Sequence, residues 1–196
     1  TDRKHKEIEL EKANKLLKIY GREMEDLQAK LKEQAIRDPL TGLFNRRYLQ
    51  TTIDRETARA SREGFPIGIV MIDIDDFKMA NDAYGHQMGD LVLQTLGKLL
   101  LSRIRAEDIV CRYGGDEFLI LLPKASRAAT FERAEQWRAD FEAVRTVLGE
   151  VVLQRTICLG VAAYPADGTT MKASIQAADQ ALYRAKTMGK NRVVLA

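Results

Sequence analysis

The stretch DIVCRYGGDEFLILL, residues 108–122, decides how the centre of this chain folds. Apolar residues flank a polar tip on both sides, and that pattern predicts two strands joined by a hairpin. Gly114 and Gly115 would allow positive φ in a two-residue hairpin, and they leave room for a large ligand beside the backbone. Taken alone, this stretch favours an ordinary hairpin, in which Asp116 and Glu117 are simply polar residues at the tip.

A second acidic segment lies upstream in IGIVMIDIDDFK, residues 67–78. This stretch is apolar until its end, where the alternation of a strand places Asp73 and Asp75 on one face. If this strand lies beside the hairpin, Asp116 and Glu117 approach Asp73. Carboxylates gathered in one place repel one another unless a cation binds between them, and oxygen ligands favour Mg²⁺. The two stretches together therefore predict a magnesium site of the kind used in phosphoryl and nucleotidyl transfer.

The rest of the globular part alternates between helical and extended patterns. Helices are predicted over residues 46–63, 89–104, 127–148 and 174–187, and strands over 66–74, 154–164 and the closing RVVL. With the hairpin included, the core order is β-α-β-β-α-β, which is the ferredoxin-like arrangement. The sequence therefore predicts a mixed α/β (α+β) domain over residues 36–196.

Residues 1–35 follow a different pattern, with dense charge and no proline. Their sparse apolar positions repeat every seven residues in two series, Leu10, Leu17, Met24 and Leu31, then Ala13, Tyr20, Leu27 and Gln34. So narrow a stripe favours a parallel two-stranded coiled coil, and the alternative is a single solvated helix lying against the domain. Pro39 ends the helix, because the residue before a proline avoids the helical region.

Composition limits the broad class of the protein. The chain has 196 residues, 45% of them hydrophobic and 30% charged, which predicts an ordered domain with an appendage. The net charge of +3 does not require a nucleic-acid partner. No apolar run reaches the roughly 18 residues of a membrane span, so this fragment is expected to have no membrane partner.

The two cysteines indicate the compartment. Cys111 and Cys158 both lie in apolar runs without metal-ligand spacing, so we expect buried free thiols in a reducing, cytoplasmic environment. No signal peptide is visible. Because the chain begins at Thr1 and not at a methionine, we expect it to be a fragment that follows an upstream sensor domain.

Two further segments suit a nucleotide. NDAYGHQMGD, after the first strand, contains Asn81, His86 and Asp90. The Asp90 carboxylate can accept from both N1–H and the 2-amino group of guanine, a donor pair that adenine lacks; its alternative role is to stabilise the first turn of a helix. His86 alone reads more simply as a turn residue. Lys186 and Lys190 either complement the dipole at a helix end or hold a triphosphate.

Together these motifs resemble the GGDEF family, the diguanylate cyclases. DPLTGLFNRR (residues 38–47) resembles the family's opening segment, DIDDFKMANDAYGHQMGD (73–90) its metal and guanine segment, and AKTMGKNR (185–192) its closing segment. RYGGDEF matches the signature without substitution, whereas Lys190 stands where arginine is common. The resemblance covers about residues 36–196. It implies a palm fold like that of adenylyl cyclase catalytic domains, and condensation of two GTP into cyclic di-GMP with release of two pyrophosphates.

The resemblance also implies roles for individual residues. The catalytic residues would be Asp116, Glu117 and Lys78. The ligands of Mg²⁺, or of Mn²⁺ in its place, would be Asp73, the Ile74 carbonyl, Asp116 and Glu117. The substrate contacts would be Phe77, Asn81, His86, Asp90, Gly114, Gly115, Lys186 and Lys190. Asp116 is favoured for activating the 3′-hydroxyl, although metal ligation competes for the same carboxylate.

Arg105 and Asp108 match the family's RxxD site, at which cyclic di-GMP inhibits, and their alternative is a surface pair before a strand. Because the product is two-fold symmetric, two domains would have to face each other in a homodimer. The coiled coil would hold that dimer together and transmit the upstream signal.

Three other functions compete with this one. The first is a catalytically silent GGDEF-like module that binds GTP or cyclic di-GMP. The second is a cyclase that makes a mixed GTP/ATP dinucleotide or a cyclic mononucleotide. The third, a purely structural coiled-coil protein, leaves the carboxylates unexplained.

Overall fold

The computed structural model describes the backbone of residues 2–196 and the side chains of residues 15–28, 31 and 33–196. The chain divides into two compact units, Thr1–Arg37 and Asp38–Ala196. The first unit is one helix, α1, which spans Asp2–Ile36 and continues through Gly21. Its predicted seam is exposed at Leu17 (66%), Met24 (61%) and Leu31 (56%). Leu10 and Ala13 lie outside the described side chains, and the coiled coil stays a prediction.

The second unit contains five helices and eight strands. The helices are α2 Arg46–Glu63, α3 Phe77–Tyr84, α4 His86–Ser102, α5 Arg127–Ala143 and α6 Met171–Thr187. The strands are β1 Phe44–Asn45, β2 Ile67–Ile74, β3 Ile109–Arg112, β4 Glu117–Pro123, β5 Thr146–Leu148, β6 Val151–Leu153, β7 Ile157–Tyr164 and β8 Val193–Leu195. Six strands form one sheet in the order β1-β3-β4-β2-β7-β8. The order β2, β3, β4, β7 with the intervening helices confirms the predicted β-α-β-β-α-β core.

Strand β2 lies at the centre of this sheet, antiparallel to both β4 and β7. All eight of its residues are buried. Ile72 belongs to the core that includes α4 and α5, with Trp137 among its buried members. Met71 belongs to the core on the other face, which includes Leu182 of α6. Burial on both faces explains why this stretch is continuously apolar and not alternating.

Three of the predicted helices have other bounds in the structure, and one of them, predicted from residue 174, is α6, which begins at Met171. The helix predicted over 127–148 ends at Ala143, and β5 and β6 then form a separate two-stranded sheet. Gly149, with φ 58°, turns the chain between strands rich in β-branched residues, a hairpin signal within the sequence. The helix predicted over 89–104 is α4, which begins at His86 and ends at Ser102. Residues 77–84 form the additional helix α3, and Gly85 at φ 82° separates it from α4.

The hairpin tip also differs from its prediction. Neither Gly114 nor Gly115 has a positive φ, so a two-residue turn of that type is wrong. Residues 113–116 form a longer connection, in which the amides of Tyr113 and Gly114 both donate to the Glu117 carbonyl (2.8 and 3.2 Å). An added Cβ at Gly114 would lie 2.7 Å from Glu117 Oε2, the end of a flexible side chain that can move away.

The structure also bears on the state of the two cysteines and on membrane-spanning helices. Cys111 and Cys158 are both free and buried, as predicted. Burial raises the pKa of each thiol to about 12, and the hydrogen bond to Asp75 adds to the effect at Cys158. Within the described part of the chain, no helix is both long enough and apolar enough for a membrane span.

Candidate active site

The register of the sheet brings the predicted carboxylates together. Asp73 at the end of β2 is paired with Glu117 at the start of β4. Asp116 directly precedes Glu117 at the hairpin tip, and the charges of both act on Asp73. A cavity of about 290 Å³ opens at this edge of the sheet. Its acidic lining includes Asp73, Asp76 and Asp116, and its basic lining includes Lys78, Lys186 and Lys190.

Asp73 is the most perturbed carboxyl of this cluster. Its pKa is raised to about 6, mainly by burial; the hydrogen bond and the charge of Lys186 oppose this rise, and the negative charges of Asp116 and Glu117 add to it. That bond joins Lys186 Nζ to Asp73 Oδ2 at 2.7 Å. Burial lowers the pKa of Lys186, but the bond and the surrounding carboxylates outweigh it, so the pKa is raised. The cluster therefore holds a cationic group against its most buried carboxylate.

The same residues fit a hard divalent cation in the type of donor they offer. Asp73 and Asp116 line the cavity with their carboxylates, and Ile74 lies in its wall. Glu117 lines a second cavity, with Tyr113 and Lys172, and acts on Asp73 through its charge. Among the described residues, no group of three or more His, Cys, Asp or Glu side chains is already arranged around a metal position. Mg²⁺ beside nucleotides is commonly held by one or two carboxylates, with phosphate oxygens and water completing the shell. A pair of carboxylates beside phosphate-binding groups is therefore sufficient.

Helix α3 points its N-terminus into the cavity. Asp76 occupies the N-cap position with φ 55° and makes no capping hydrogen bond through its side chain. Phe77, Lys78 and Met79 follow in the first turn and line the cavity. Backbone amides at a helix N-terminus bind anions such as phosphates. Lys190 pairs with Asp76 (Nζ to Oδ1, 2.5 Å) on the same side, and this bond raises the pKa of Lys190.

The predicted guanine-binding residues lie on α3 and α4. Asn81 and Gly89 pack so closely that a Cβ on Gly89 would lie 1.9 Å from Asn81 Oδ1. Among the described side chains, that amide oxygen is buried and has no hydrogen-bond partner. Buried polar atoms without partners are rare, so this oxygen is a candidate acceptor for a ligand donor. Asp90 and His86 are exposed on α4, and because α4 begins at His86, Asp90 lies in the second turn and is not a first-turn capping residue.

The RxxD residues lie at the opposite end of β3 from the hairpin tip. Arg105 is exposed, whereas the Asp108 side chain is 1% exposed. Asp108 Oδ2 accepts from the Arg105 amide (2.7 Å) and from Arg133 of α5 (2.8 Å). Arg133 is a residue that sequence reasoning missed, because nothing in the helical pattern of α5 indicates its contact with Asp108.

Sequence reasoning also missed a tie between the hairpin and the segment after α1. Arg112 donates to the Gly115 carbonyl (2.8 and 3.1 Å) and to both Asp38 oxygens (3.2 Å each). Burial alone would raise the pKa of Asp38, but hydrogen bonds from Thr41 and the charge of Arg112 hold it below its usual value. The presence of an arginine inside the signature is the signal that could have suggested such a tie.

Known proteins are similar to this chain over the part that contains these residues. Residues 35–192 match the family model described as "Diguanylate cyclase, GGDEF domain". The response regulator PleD of Caulobacter vibrioides is 40% identical over 164 residues, which is 83% of this chain and 36% of the regulator. Diguanylate cyclase DosC of Escherichia coli K12 is 41% identical over 161 residues, which is 81% of this chain and 34% of DosC. The chain thus spans about a third of the length of these curated relatives.

Solved structures show the same fold. Diguanylate cyclase SiaD from Pseudomonas aeruginosa, in complex with its activator SiaC, superposes with TM-score 0.81 at 37% identity over 100% of this chain and 75% of SiaD. The coiled coil and GGDEF domain of DgcB from Caulobacter crescentus, in complex with c-di-GMP, gives TM-score 0.85 at 26% identity over 96% of this chain and 99% of that one. The mixed α+β fold with its central sheet is therefore that of solved GGDEF structures.

Proposed function

The chain belongs to the GGDEF family of diguanylate cyclases, and we propose that it condenses two GTP into cyclic di-GMP and two pyrophosphates. The observation that carries this proposal is one cavity in which Asp73 and Asp116 face Lys78, Lys186 and Lys190. In such a cavity the carboxylates can hold a metal ion while the ammonium groups hold the phosphates of a triphosphate bound to that ion. A silent binding module is not favoured, because the signature carboxylates are all retained.

The carboxylate side of the cavity would hold the divalent metal that this family uses. Asp73, Asp116, Glu117 and the Ile74 carbonyl are the proposed ligands, and Mg²⁺ is the proposed ion, with Mn²⁺ as a substitute. When bound, the ion neutralises phosphate charge and strengthens the α-phosphate as an electrophile. Asp73 must be ionised to serve as a ligand.

The chain's own residues would bind and orient the triphosphate. The backbone amides of Phe77 and Lys78 at the start of α3 donate hydrogen bonds to phosphate oxygens, and the Lys78 ammonium stabilises charge that develops in the transition state. Lys186 exchanges its bond to Asp73 for one to the β- or γ-phosphate, and Lys190 likewise turns from Asp76. Asp116 takes the proton from the attacking 3′-hydroxyl.

Guanine selection would come from α3 and α4. The Asn81 amide and the Asp90 carboxylate read the base edge, with His86 nearby. The unpartnered Asn81 oxygen supports this role, since it offers an acceptor in a buried position. Guanine supplies the N1–H and 2-amino donors that an acceptor pair requires, whereas adenine does not.

One domain binds one GTP, so two domains must face each other as a homodimer. Each 3′-hydroxyl then lies near the α-phosphate held by the other domain, and this proximity lowers the barrier. The exposed apolar stripe of α1 supports a coiled coil as the element that joins the two chains. An upstream sensor would act through this coil.

Product inhibition would occur at Arg105 and Asp108. The exposed Arg105 can reach a phosphate or guanine of cyclic di-GMP, while Asp108 is held in place by Arg133. Arg133 thereby adds a second guanidinium beside the RxxD turn. We propose that cyclic di-GMP binds there and holds the domains apart.

The test is incubation of the purified chain with GTP and Mg²⁺, followed by chromatographic separation of the products. Formation of cyclic di-GMP and pyrophosphate, lost in a folded Asp116→Ala variant, is the expected result. GTP binding without turnover, both after bound nucleotide is stripped and in an Arg105→Ala variant, would support the binding module instead. Mixed GTP and ATP in the same assay would reveal any hybrid dinucleotide.

A further inference from the structure

A buried carboxylate beside the cavity has no role in the reaction as proposed. Asp75 directly follows β2 and is 4% exposed. Its Oδ2 accepts from Thr156 Oγ1 (2.6 Å) and from the Asn191 amide (3.0 Å), and its Oδ1 accepts from Cys158 Sγ (2.9 Å). Three donors from two different segments thus converge on this one side chain.

One of these segments is the turn between α6 and β8, which carries Lys190. Lys190 and Asn191 both have positive φ, 61° and 46°. Residues other than glycine adopt this conformation at a cost, so the surrounding structure must hold it. From α5, Glu142 accepts from Asn191 Nδ2 (2.8 Å) and Arg138 donates to Asn191 Oδ1 (3.0 Å). On the side of the sheet, the turn is held by Asp75, which accepts from the Asn191 amide.

The Asn191 amide belongs to the same rigid peptide unit as the Lys190 carbonyl. A hydrogen bond that fixes this amide therefore also fixes the backbone of Lys190. Lys190 Nζ reaches the cavity from this turn and pairs with Asp76. Because the Lys190 amide on the other side of this residue donates to the Ala185 carbonyl (3.2 Å), its backbone is held at both ends, and the rotations of its side chain remain before the ammonium group.

We propose that Asp75 is a positioning residue for the triphosphate: its carboxylate holds the Asn191 amide and so aims Lys190 at the phosphates. The identity of the ligand in this statement rests on the proposed function. Asp75 forms part of the cavity wall, but both of its carboxylate oxygens accept from protein donors, so it acts through the turn. Preorganisation of this kind raises affinity by reducing what must be ordered on binding.

The first test does not depend on enzymatic activity. In Asp75→Asn, an NH₂ group replaces one acceptor oxygen at nearly constant volume. The remaining amide oxygen is neutral and therefore a weaker acceptor than the carboxylate, which predicts that the Asn191 amide exchanges with solvent about tenfold faster by NMR. Asp167→Asn is the matched control, because Asp167 also accepts from a backbone amide (Ala163, 2.8 Å) and its side chain is 11% exposed. Unchanged exchange at Asn191 would overturn the proposal.

The second test separates positioning from a general loss of stability. Asp75→Asn is expected to weaken GTP binding about tenfold by calorimetry while guanosine binding changes less than about twofold. In a Lys190→Met background, Asp75→Asn should reduce GTP affinity little further, because both residues act on the same contact between Lys190 and the phosphates. Equal losses for GTP and guanosine, or full additivity with Lys190→Met, would contradict the proposal.

Two controls keep the outcomes distinguishable. If Asp75→Asn does not fold, the wild-type chain supplies the measurement: an Asn191 amide that exchanges at least about tenfold more slowly than in the unfolded chain is expected, and an amide without that protection overturns the proposal. A wild-type chain that binds no GTP contradicts the proposed function and, with it, the phosphate role of Asp75. The exchange rate of Asn191 still decides whether Asp75 holds the turn.

Discussion

Asp73 titrates in a range where cyclase activity can be measured. Burial is the main cause of its pKa of about 6, against a usual value of 3.8. Below pH 6 a proton therefore competes with the metal for this carboxyl. In the metal-free chain, the native state binds the Asp73 proton more tightly than the unfolded state does. The contribution of Asp73 to folding stability therefore falls as the pH rises from 3.8 to about 6, whereas the contribution of a salt-bridged aspartate with a lowered pKa rises with pH.

We predict that the affinity for Mn²⁺, measured by calorimetry without nucleotide, rises up to about tenfold per pH unit below pH 6 and then levels off. The reason is that metal binding must release the Asp73 proton in the acidic range only. Asp167→Asn, a change at a carboxyl remote from the cavity, should leave the profile intact. A flat affinity between pH 5 and 7 would contradict this account of Asp73.

A second residue-scale prediction concerns Gly89. A methyl group there would lie 1.9 Å from Asn81 Oδ1, so Gly89→Ala must displace the Asn81 side chain. We expect GTP affinity to fall about tenfold, equivalent to loss of one hydrogen-bonded contact, while the thermal unfolding midpoint changes little. In an Asn81→Ala background, Gly89→Ala should cost much less. An undiminished loss in that background would show that the glycine acts in some other way.

At this scale the sequence predicts contacts along a strand better than contacts across the fold. Strand alternation is a local rule and places Asp73 and Asp75 on one face, whereas the observed pairing of Asp73 with Glu117 is predicted from the β-α-β-β order of the fold. The partners of Asp75, in contrast, lie 83 and 116 positions away at Cys158 and Asn191. No spacing rule connects residues so far apart, because their contact depends on how whole elements pack.

At the scale of elements, the signature hairpin is held by Arg112. Its guanidinium joins the Gly115 carbonyl at the tip to Asp38. Arg112→Ala should lower the free energy of unfolding by about 1–3 kcal/mol, since it leaves a half-buried carboxylate and a carbonyl with fewer donors. Urea denaturation measures this, with Arg105→Ala, an exposed arginine seven residues earlier, as the control. A midpoint that is unchanged in Arg112→Ala would show that the tie contributes nothing.

Most element types are predicted where the hydrophobic period is long, and several short elements are missed, although the three-residue strand β8 is predicted from RVVL. The central strand, α2 and α6 have clear apolar patterns. β1 has two residues and β5 and β6 have three each, too few to establish a period. Helix α3 was missed because its one buried side chain, Ala80, is too little to produce a helical stripe.

At the scale of the whole molecule, the coiled coil is the proposed route of regulation. Insertion of one alanine after Glu23 would rotate the downstream part of the seam by about 100°, whereas insertion of seven residues keeps its phase. We predict that the cyclase rate changes about tenfold with the single insertion and returns toward wild type with the seven-residue insertion, because the facing of two domains depends on that phase. Equal rates across the series would contradict a role for coil register.

The central claim is that two chains act together on one product: each chain, with its own Asp116, forms one of the two phosphodiester bonds of cyclic di-GMP. The measurement that tests it most directly is the initial rate of cyclic di-GMP formation from GTP and Mg²⁺ in assemblies co-expressed from wild-type and Asp116→Ala chains. If each half-site makes one bond, the rate falls as the square of the wild-type fraction and a linear dinucleotide accumulates in mixed dimers. A rate that falls in direct proportion to the wild-type fraction, or no cyclic di-GMP at any ratio, would contradict the account.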